Sequence, residues 1–277
     1  MAHRVALVTG SNKGVGLGIV RALCKKLDSN WTVYLTSMIE EEGKEAVAKL
    51  NQEGLKPAYH QLDILEQSSI DKVRAHLEKE HGGLDILINN AGIAFKESAT
   101  EPIGVQAKAT LATNFFGTLA NCRALIPLIR SHGRVVNIAS RRGKYAFEAM
   151  SPEVQGRFRA TRTEQDVEEL MKEYIEIAQG GDPTSKGWPT STYGTSKMGL
   201  IALTKIQAAD VLKDKTRENI LIMACCPGYV RTDMSSHKGE ISIDEGADTP
   251  VYLALQPPGT TEPHGKMYRE RVVYFDF

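Results

Sequence analysis

The chain has 277 residues, and its 34 lysines and arginines balance 34 aspartates and glutamates, so the formal net charge is zero. A composition of 42% hydrophobic and 25% charged residues is typical of a globular protein and excludes a disordered or fibrous chain. A neutral chain gives no electrostatic reason to expect a nucleic-acid partner. The apolar run at residues 220–226 is much shorter than the ~20 residues of a membrane span, so we expect no membrane partner either.

Cysteine and histidine usage predicts the compartment. The four cysteines, Cys24, Cys122, Cys225 and Cys226, show neither a disulfide framework nor metal-ligand spacing. The seven histidines are also dispersed, and we predict no metal site. A strand predicted from Arg4 leaves no room for a signal peptide before it. We therefore expect a cytoplasmic protein.

In chain order, short apolar runs alternate with segments of helix length. Consecutive apolar residues predict strands buried on both faces, as in a parallel sheet covered by helices. The predicted strands are residues 5–8, 31–35, 57–63, 84–88, 134–139 and 220–226. Between the first two, Val20, Leu23 and Leu27 recur at helical spacing. The alternation predicts one doubly wound α/β domain over residues 1–277, a Rossmann-type parallel sheet with helices on both faces.

One stretch, at about residues 145–189, breaks the alternation because it is polar and contains no predicted strand. Thr163 and Asp166 have the spacing of a capping box, which predicts that a helix begins there. Gly180 and Gly181 are predicted to end that helix. The stretch is too short to form a core of its own, so we interpret it as a helical insertion on the single domain.

A glycine-rich turn follows the first predicted strand and opens the first helix. Glycines in such a turn allow positive φ and let the backbone approach a pyrophosphate, while the helix N-terminus offers free N–H groups to the anion. The position in a strand–turn–helix unit predicts dinucleotide binding. The turn residues expected to contact the cofactor are Gly10, Asn12, Lys13, Gly14, Val15 and Gly16.

The choice between NADH and NADPH depends on the end of the second strand, where an acidic residue favours NADH and a basic one accommodates the 2′-phosphate of NADPH. That strand runs into Ser37 and Met38, which are neither. Lys13 is a candidate partner for a 2′-phosphate, and Ser37 adds a hydrogen-bonding group. Glu40, Glu41 and Glu42 bring negative charge nearby, although acidic residues also suit the first turn of a helix. Because Lys13 can pair with a 2′-phosphate, we predict that the cofactor is NADPH.

Tyr193 and Lys197 are four residues apart in a predicted helix, so both side chains lie on one face. A nearby ammonium favours the phenolate, so we expect Lys197 to lower the Tyr193 pKa toward working pH. Ser140 ends a buried strand, at the carboxyl edge where open α/β sheets bind ligands. A tyrosine and a lysine at this spacing are common by chance on surface helices. Together with the glycine-rich turn and Ser140, they predict an active site.

With these motifs the sequence resembles the short-chain dehydrogenase/reductase family across nearly its whole length, and within it the cytosolic carbonyl reductases. The family motifs are residues 9–16, 89–92, 193–197 and 227–232, together with Asn114 and Ser140. The segments similar to the carbonyl reductases are residues 89–95, 113–117, 224–228 and 250–255. The long interval between Ser140 and Tyr193 is also similar to that group. In the family, such an insertion is associated with monomers because it covers the face that relatives use to dimerise, and we predict a monomer.

The resemblance implies roles for individual residues. Tyr193 would protonate the carbonyl oxygen as hydride arrives from the nicotinamide, and Ser140 would hydrogen-bond that oxygen. Lys197 would hold the nicotinamide ribose, and Asn114 would kink its helix and hold a water in a proton relay to Lys197. Further cofactor contacts implied by the resemblance are Asp63 and Ile64 at the adenine, Asn90 at the ribose, and Val230, Arg231 and Thr232 over the carboxamide and phosphates.

The sequence departs from the carbonyl reductases around both ends of the expected cleft. Met38 stands where those enzymes typically have an arginine. Arg141 and Arg142 stand where those relatives are mostly apolar, and Tyr229 replaces a tryptophan. These three residues would line the substrate mouth. The arginines either recognise an anionic group on the substrate or belong to a solvated loop, paired with Glu148 or with the acidic insertion helix.

The predicted function is NADPH-dependent reduction of ketones, aldehydes or quinones, with a small-molecule carbonyl compound as substrate. The alternative is a non-catalytic NADP(H)-binding redox sensor or regulator, which has no need of Ser140, Tyr193 and Lys197 together. A sugar-nucleotide epimerase shares the tyrosine–lysine spacing, but too few residues follow Lys197 for its substrate domain. Cys226 is either a reactive thiol beside the pocket or an inert buried cysteine, whereas we expect Cys225 to be inert.

Overall fold

The computed structural model describes residues 3–277. Within that range, eight strands form one sheet in the order β3-β2-β1-β4-β5-β6-β7-β8. All neighbouring strands are parallel except β7 and β8. The strands are β1 Arg4–Val8, β2 Trp31–Ser37, β3 Ala58–Gln61, β4 Leu84–Asn89, β5 Ile129–Ile138, β6 Leu221–Cys225, β7 Met267–Arg269 and β8 Val272–Phe275. The six predicted strands are confirmed, with shifted ends.

Helices cover both faces of the sheet. They are α1 Gly14–Lys26, α2 Glu40–Gln52, α3 Gln67–His81, α4 Ile103–Leu111, α5 Thr118–Leu125, α6 Arg141–Glu148, α7 Pro152–Ala160, α8 Glu164–Gln179, α9 Thr192–Val211 and α10 Ile243–Ala254. One apolar cluster joins one face of the sheet to α1, α2 and α10, and another joins the opposite face to α3, α5 and the end of α9. The predicted doubly wound α/β fold is confirmed. In residues 3–277, every helix falls short of the length and apolarity that a membrane crossing requires.

The hairpin formed by β7 and β8 was not predicted from the sequence. The two strands are three and four residues long. Glu270 and Arg271 connect them with φ values of 53° and 63°. Such a turn normally carries asparagine or glycine, so two charged residues give no hairpin signal. As a result, the sheet ends in one antiparallel strand beside seven parallel ones.

The insertion consists of α7 and α8 followed by a short 3-10 helix at Pro183–Lys186. The predicted capping box is confirmed: Thr163 Oγ1 accepts a hydrogen bond from the Asp166 N–H, and the Asp166 carboxylate accepts one from the Thr163 N–H. Trp188 is fully buried and packs against Phe158 and Tyr174. These side chains share one apolar cluster with α4 and α9, so the insertion is anchored on the helix that carries Tyr193.

Candidate active site

Ser140, Tyr193 and Lys197 occupy the carboxyl edge of the sheet. Ser140 follows β5 and is the N-cap of α6, where its Oγ accepts a hydrogen bond of 3.2 Å from the Arg142 N–H. Tyr193 is the second residue of α9, which is buried on nearly all sides. Lys197 lies one turn later, 4% exposed, with Nζ donating a 2.8 Å hydrogen bond to the Ile138 carbonyl. Its Nζ is 5.7 Å from the centroid of the Tyr193 ring.

The expectation that Lys197 lowers the Tyr193 pKa is wrong for this structure. Burial raises the pKa of Tyr193 to about 12, and the Ser140 hydroxyl and Arg142 only partly oppose that shift. Burial also lowers the pKa of Lys197 to about 8. Both groups have lost hydration, which favours the neutral form of each. A phenol protonated at neutral pH is suited to donate a proton.

The buried lysine predicts a specific dependence of stability on pH. The folded pKa of Lys197, about 8, lies below its ordinary value of 10.5, so between these limits the unfolded chain binds more protons than the folded one. The lysine's contribution to the free energy of unfolding therefore rises with pH across this window, by about 3 kcal/mol. We expect Lys197→Met to lose this rise, so that the variant is more stable relative to wild type at pH 7 than at pH 10.5.

The measurement is urea unfolding of both proteins from pH 7 to 10.5. The difference between the two curves carries the prediction, because burial raises the pKa values of Cys24, Cys122 and Tyr193 and these groups titrate with the opposite sign. A difference that stays constant with pH would contradict the assignment of a lowered Lys197 pKa.

Asn114 lies in a π-helical segment, Ala112–Gly117, that interrupts the run of α4 into α5. Its Nδ2 donates to the Ile93 carbonyl at 2.9 Å and to Ser196 Oγ at 3.0 Å, and its Oδ1 accepts from the Ile93 N–H at 2.7 Å. A Cβ added at Gly92 would lie 3.0 Å from Asn114 Oδ1 and 3.5 Å from Lys197 Nζ, so both groups border the same spot. The proton relay itself stays a prediction.

The glycine-rich turn has the backbone that a pyrophosphate site requires. Gly10 and Gly14 both have φ of 57°, and within the described residues 3–277 no side chain caps the N-terminus of α1. A Cβ at Gly16 would lie 2.5 Å from Asn90 Nδ2 and 2.7 Å from the Gly10 carbonyl oxygen. The first helical N–H groups are therefore left for an anion, and the turn has no room for a side chain at Gly16.

Asn90 and Thr232 border this turn. Asn90 Nδ2 donates to the carbonyls of Thr9 and Gly10 at 2.9 and 2.8 Å, so this residue braces the turn. A Cβ at Gly14 would lie 3.5 Å from Thr232 Cγ2, which places the segment of Val230, Arg231 and Thr232 across the turn. Val15 is half-buried against the apolar cluster under α1. These positions suit the predicted cofactor contacts, which remain predictions.

Lys13 and Ser37, which were expected to contact the 2′-phosphate of NADPH, both interact with other groups in the structure. Lys13 Nζ lies 3.6 Å from an Asp233 carboxylate oxygen, and both side chains are exposed. The Ser37 hydroxyl donates to the Ile39 carbonyl at 2.7 Å. Asn12 Nδ2 donates to Glu42 Oε2 at 2.7 Å, a contact that the sequence pattern did not single out.

Asp63 and Ile64 follow β3 at the same edge of the sheet. The Leu62 N–H donates to the Ser37 carbonyl, which ties the end of β3 to the end of β2. Ile64 is buried, and its carbonyl oxygen lies 2.9 Å from the position of a Cβ added at Gly117. Asp63 Oδ1 accepts a hydrogen bond from the Leu65 N–H. The contact of these two residues with the adenine, which the family resemblance implies, stays a prediction.

The two arginines after Ser140 begin α6. Arg141 is half-buried and Arg142 is exposed. Glu148, one of the partners considered for these arginines, pairs instead with Lys144 one turn away on the same helix, at 3.7 Å. Among residues 3–277 neither Arg141 nor Arg142 forms an ion pair, with the acidic insertion helix or elsewhere. The Arg142 carbonyl oxygen lies 2.9 Å from the position of a Cβ added at Gly194, the residue after Tyr193, and the Arg142 charge slightly opposes the rise of the Tyr193 pKa.

Cys225 ends β6, and Cys226 and Tyr229 follow it in the chain. Tyr229 is 39% exposed and, with Cys226, lines a cavity of about 350 Å³ between α10 and the β7–β8 turn. Ser140 and Tyr193 are not among the residues that line this cavity. Burial raises the pKa of the Cys225 thiol well above its usual range, in keeping with an inert buried cysteine. Cys226 is 3% exposed.

The sequence model of the family described as short chain dehydrogenase matches residues 4–152 and 183–241 of this chain. The chain therefore belongs to the short-chain dehydrogenase family, as the sequence motifs predicted. The unmatched residues 153–182 coincide with most of α7 and all of α8. The insertion is therefore an addition to the part of the fold that the family shares.

Among known proteins, the chain is 49% identical over 271 residues to carbonyl reductase (NADPH) 3 of Rattus norvegicus, covering 98% of this chain and 97% of that protein. It is 47% identical over 270 residues to carbonyl reductase (NADPH) 1 of Homo sapiens, covering 97% of each. Among solved structures, salutaridine reductase from Papaver somniferum has a TM-score of 0.83 at 27% identity, covering 96% of this chain and 99% of that chain. Menthone neomenthol reductase from Mentha piperita has a TM-score of 0.78 at 28% identity, covering 96% and 98%.

Proposed function

We propose that this chain is an NADPH-dependent carbonyl reductase that converts ketones, aldehydes or quinones to alcohols or hydroquinones, with Tyr193 as the proton donor. The observation that carries the proposal is the convergence of Ser140, Tyr193 and Lys197 at the carboxyl edge of β5, beside a glycine-rich turn that opens α1. The carbonyl reductases named above, each nearly half identical over almost the whole chain, support the same activity.

The glycine-rich turn fits NADPH, because a Cβ at Gly16 would fill the turn and the first N–H groups of α1 are uncapped. Those N–H groups would hold the pyrophosphate, and Lys197 and Asn90 would lie toward the riboses. Bound NADPH supplies the hydride that reduces the carbonyl carbon. The protein positions the carbonyl and supplies the proton.

Ser140 and Tyr193 act on the carbonyl oxygen. The Ser140 Oγ already accepts a hydrogen bond from the Arg142 N–H, so its own hydrogen is left to donate to the substrate oxygen. Tyr193, with a pKa raised to about 12, is protonated at neutral pH and donates its proton as negative charge develops on that oxygen. Lys197 would hold the nicotinamide ribose, and Asn114 would help return a proton to Tyr193.

The first experiment is to follow the absorbance of reduced nicotinamide with a quinone and with an aromatic aldehyde, using NADPH and NADH in parallel. We expect turnover with both substrates. Tight binding of NADPH without turnover of any carbonyl compound would favour the redox sensor instead.

In this proposal, Arg142 favours substrates that carry a negative charge. Its side chain is exposed and forms no ion pair among residues 3–277, and its backbone carbonyl lies 2.9 Å from the position of a Cβ added at Gly194, the residue after Tyr193. We expect Arg142→Met to lower kcat/KM for a keto acid by about 10-fold, the loss of one charge-assisted hydrogen bond, and to change it less than about 2-fold for a neutral aldehyde. Steady-state kinetics with both substrates tests this, and Lys144→Met on the same helix is the control. Equal losses for both substrates would contradict a role in charge recognition.

We also propose that the chain is a monomer in the cytoplasm. Helix α8 packs on α4 and α9, and α7 shares their apolar cluster, so the insertion covers a helical face within one chain. Light scattering of the purified protein tests the monomer directly, and a stable dimer would overturn it.

A further inference from the structure

The glycine-rich turn hydrogen-bonds the side chain of Glu42, an acidic residue that is not among the predicted cofactor contacts. Asn12 lies between Gly10 and Gly14, and its Nδ2 donates a 2.7 Å hydrogen bond to Glu42 Oε2. Glu42 belongs to the first turn of α2, which begins soon after the end of β2. The carboxylate is therefore fixed against the turn by a specific contact.

This contact lies at the adenosine end of the cofactor site. The Ser11 N–H donates to the Thr36 carbonyl at 2.8 Å, and the Thr36 N–H donates to Ser11 Oγ at 3.0 Å, so the turn is tied to the end of β2. In this type of fold the adenosine ribose lies between the glycine-rich turn and the end of the second strand. The Asn12–Glu42 bridge therefore borders the 2′ position of that ribose.

The nearby cations do not neutralise Glu42. Lys13 pairs with Asp233, and Lys44 pairs with Glu40. Met38, at the end of β2, is 55% exposed and uncharged. Within residues 3–277, no lysine or arginine forms an ion pair with the Glu42 carboxylate. A carboxylate accepts a hydrogen bond from a ribose 2′-hydroxyl, but it repels a 2′-phosphate.

We propose that Glu42 is the residue that sets cofactor selectivity in this chain, by favouring the 2′-hydroxyl of NADH and weakening the binding of the 2′-phosphate of NADPH. The enzyme then accepts NADH as well as NADPH. This inference rests on the cofactor site of the proposed function. Asn12 acts as a positioning residue, because its amide fixes the carboxylate at the border of the ribose.

The test is isothermal titration with two cofactor fragments, 2′,5′-ADP and 5′-ADP, which differ only in the 2′-phosphate and require no turnover. Glu42→Gln keeps an oxygen that accepts from Asn12 but removes the charge. We expect this variant to bind 2′,5′-ADP about 5- to 10-fold more tightly than wild type, as removal of one exposed negative charge near a phosphate predicts. Its affinity for 5′-ADP should rise less than about 2-fold or fall.

Glu41→Gln is the matched control, because Glu41 is an exposed neighbour in the same helical turn. It removes the same charge without touching the Asn12 contact and should change both affinities less than about 2-fold. Titrations with NADPH and NADH should show the same pattern. Equal gains for Glu41→Gln and Glu42→Gln, or no gain for 2′,5′-ADP, would overturn the proposal. If wild type bound neither fragment, the cofactor site itself would be wrong, whereas fragment binding without carbonyl turnover would overturn only the proposed activity.

Discussion

Replacing Tyr193 with phenylalanine should lower kcat for carbonyl reduction by about 10²- to 10⁴-fold, the range for loss of a positioned general acid. The substitution removes one hydroxyl and keeps the ring. The Kd for NADPH should change less than about 3-fold, because the proposed cofactor contacts of the turn and of Lys197 remain. Steady-state kinetics and a fluorescence titration with NADPH measure the two quantities separately.

The control is Tyr145→Phe, which removes the hydroxyl of a different tyrosine. Tyr145 lies in α6, the helix that Ser140 caps, and its side chain is 43% exposed. That variant should retain kcat within about 2-fold, since its hydroxyl has no assigned role. A Tyr193→Phe enzyme with nearly wild-type kcat would show that the proton comes from elsewhere.

Gly16→Ala should weaken NADPH binding by about 100-fold. The new Cβ would lie 2.7 Å from both the Gly10 carbonyl oxygen and the Ser11 Cα, and these backbone atoms have no rotamer by which to move away. The turn must shift, and displacing binding groups by about 1 Å costs on the order of 100-fold. The measurement is the Kd for NADPH, with circular dichroism to confirm that the variant is folded.

Gly156→Ala is the matched control, because a Cβ at this position in α7 meets no atom within 4 Å. It should leave the Kd for NADPH unchanged and stabilise the fold by about 0.5–1 kcal/mol, since alanine restricts the unfolded chain more than glycine does. If a folded Gly16→Ala variant bound NADPH as tightly as wild type, the turn would not be the pyrophosphate site.

The central strands and the helix after Thr163 were predictable because their signals are local. Consecutive apolar residues identify strands buried on both faces, and the capping box identifies a helix start within four residues. Ser140, Tyr193 and Lys197 were identified as candidates from their positions at the end of a strand and on one helix face. The hairpin of β7 and β8 escaped because its turn residues, Glu270 and Arg271, are poor turn formers.

Contacts between residues distant in sequence were not predictable. The hydrogen bond from Asn12 to Glu42 depends on how α2 leaves the sheet, and the acidic run alone gives no register for it. The histidines, dispersed in sequence, supply another case: His76 and His81 both hydrogen-bond the Tyr34 hydroxyl through Nε2. The predicted direction of the Tyr193 pKa shift was wrong. The spacing of Tyr193 and Lys197 in the sequence indicates a nearby ammonium, but it does not indicate that both groups are buried.

Arg134, within a predicted strand, also forms contacts that the sequence does not predict. The sequence places an arginine at the start of an apolar run, and the structure buries it to 2% exposure; among residues 3–277 it forms no ion pair with a carboxylate. Its guanidinium donates instead to backbone carbonyls, including those of Asn219, Gln256 and Pro257, and burial lowers its pKa to about 10. No local pattern indicates that these loops supply the acceptors.

The most direct test of the proposed reaction is a single turnover with NADPH deuterated at the transferred position of the nicotinamide, with an aromatic aldehyde as substrate. Mass spectrometry of the alcohol then shows whether the hydride moved to the carbonyl carbon. We expect one deuterium in the alcohol for each NADPH consumed, and no labelled alcohol on the same timescale with Tyr193→Phe. Oxidation of NADPH without deuterium in the alcohol, or binding of NADPH without any alcohol formed, would contradict hydride transfer by this site.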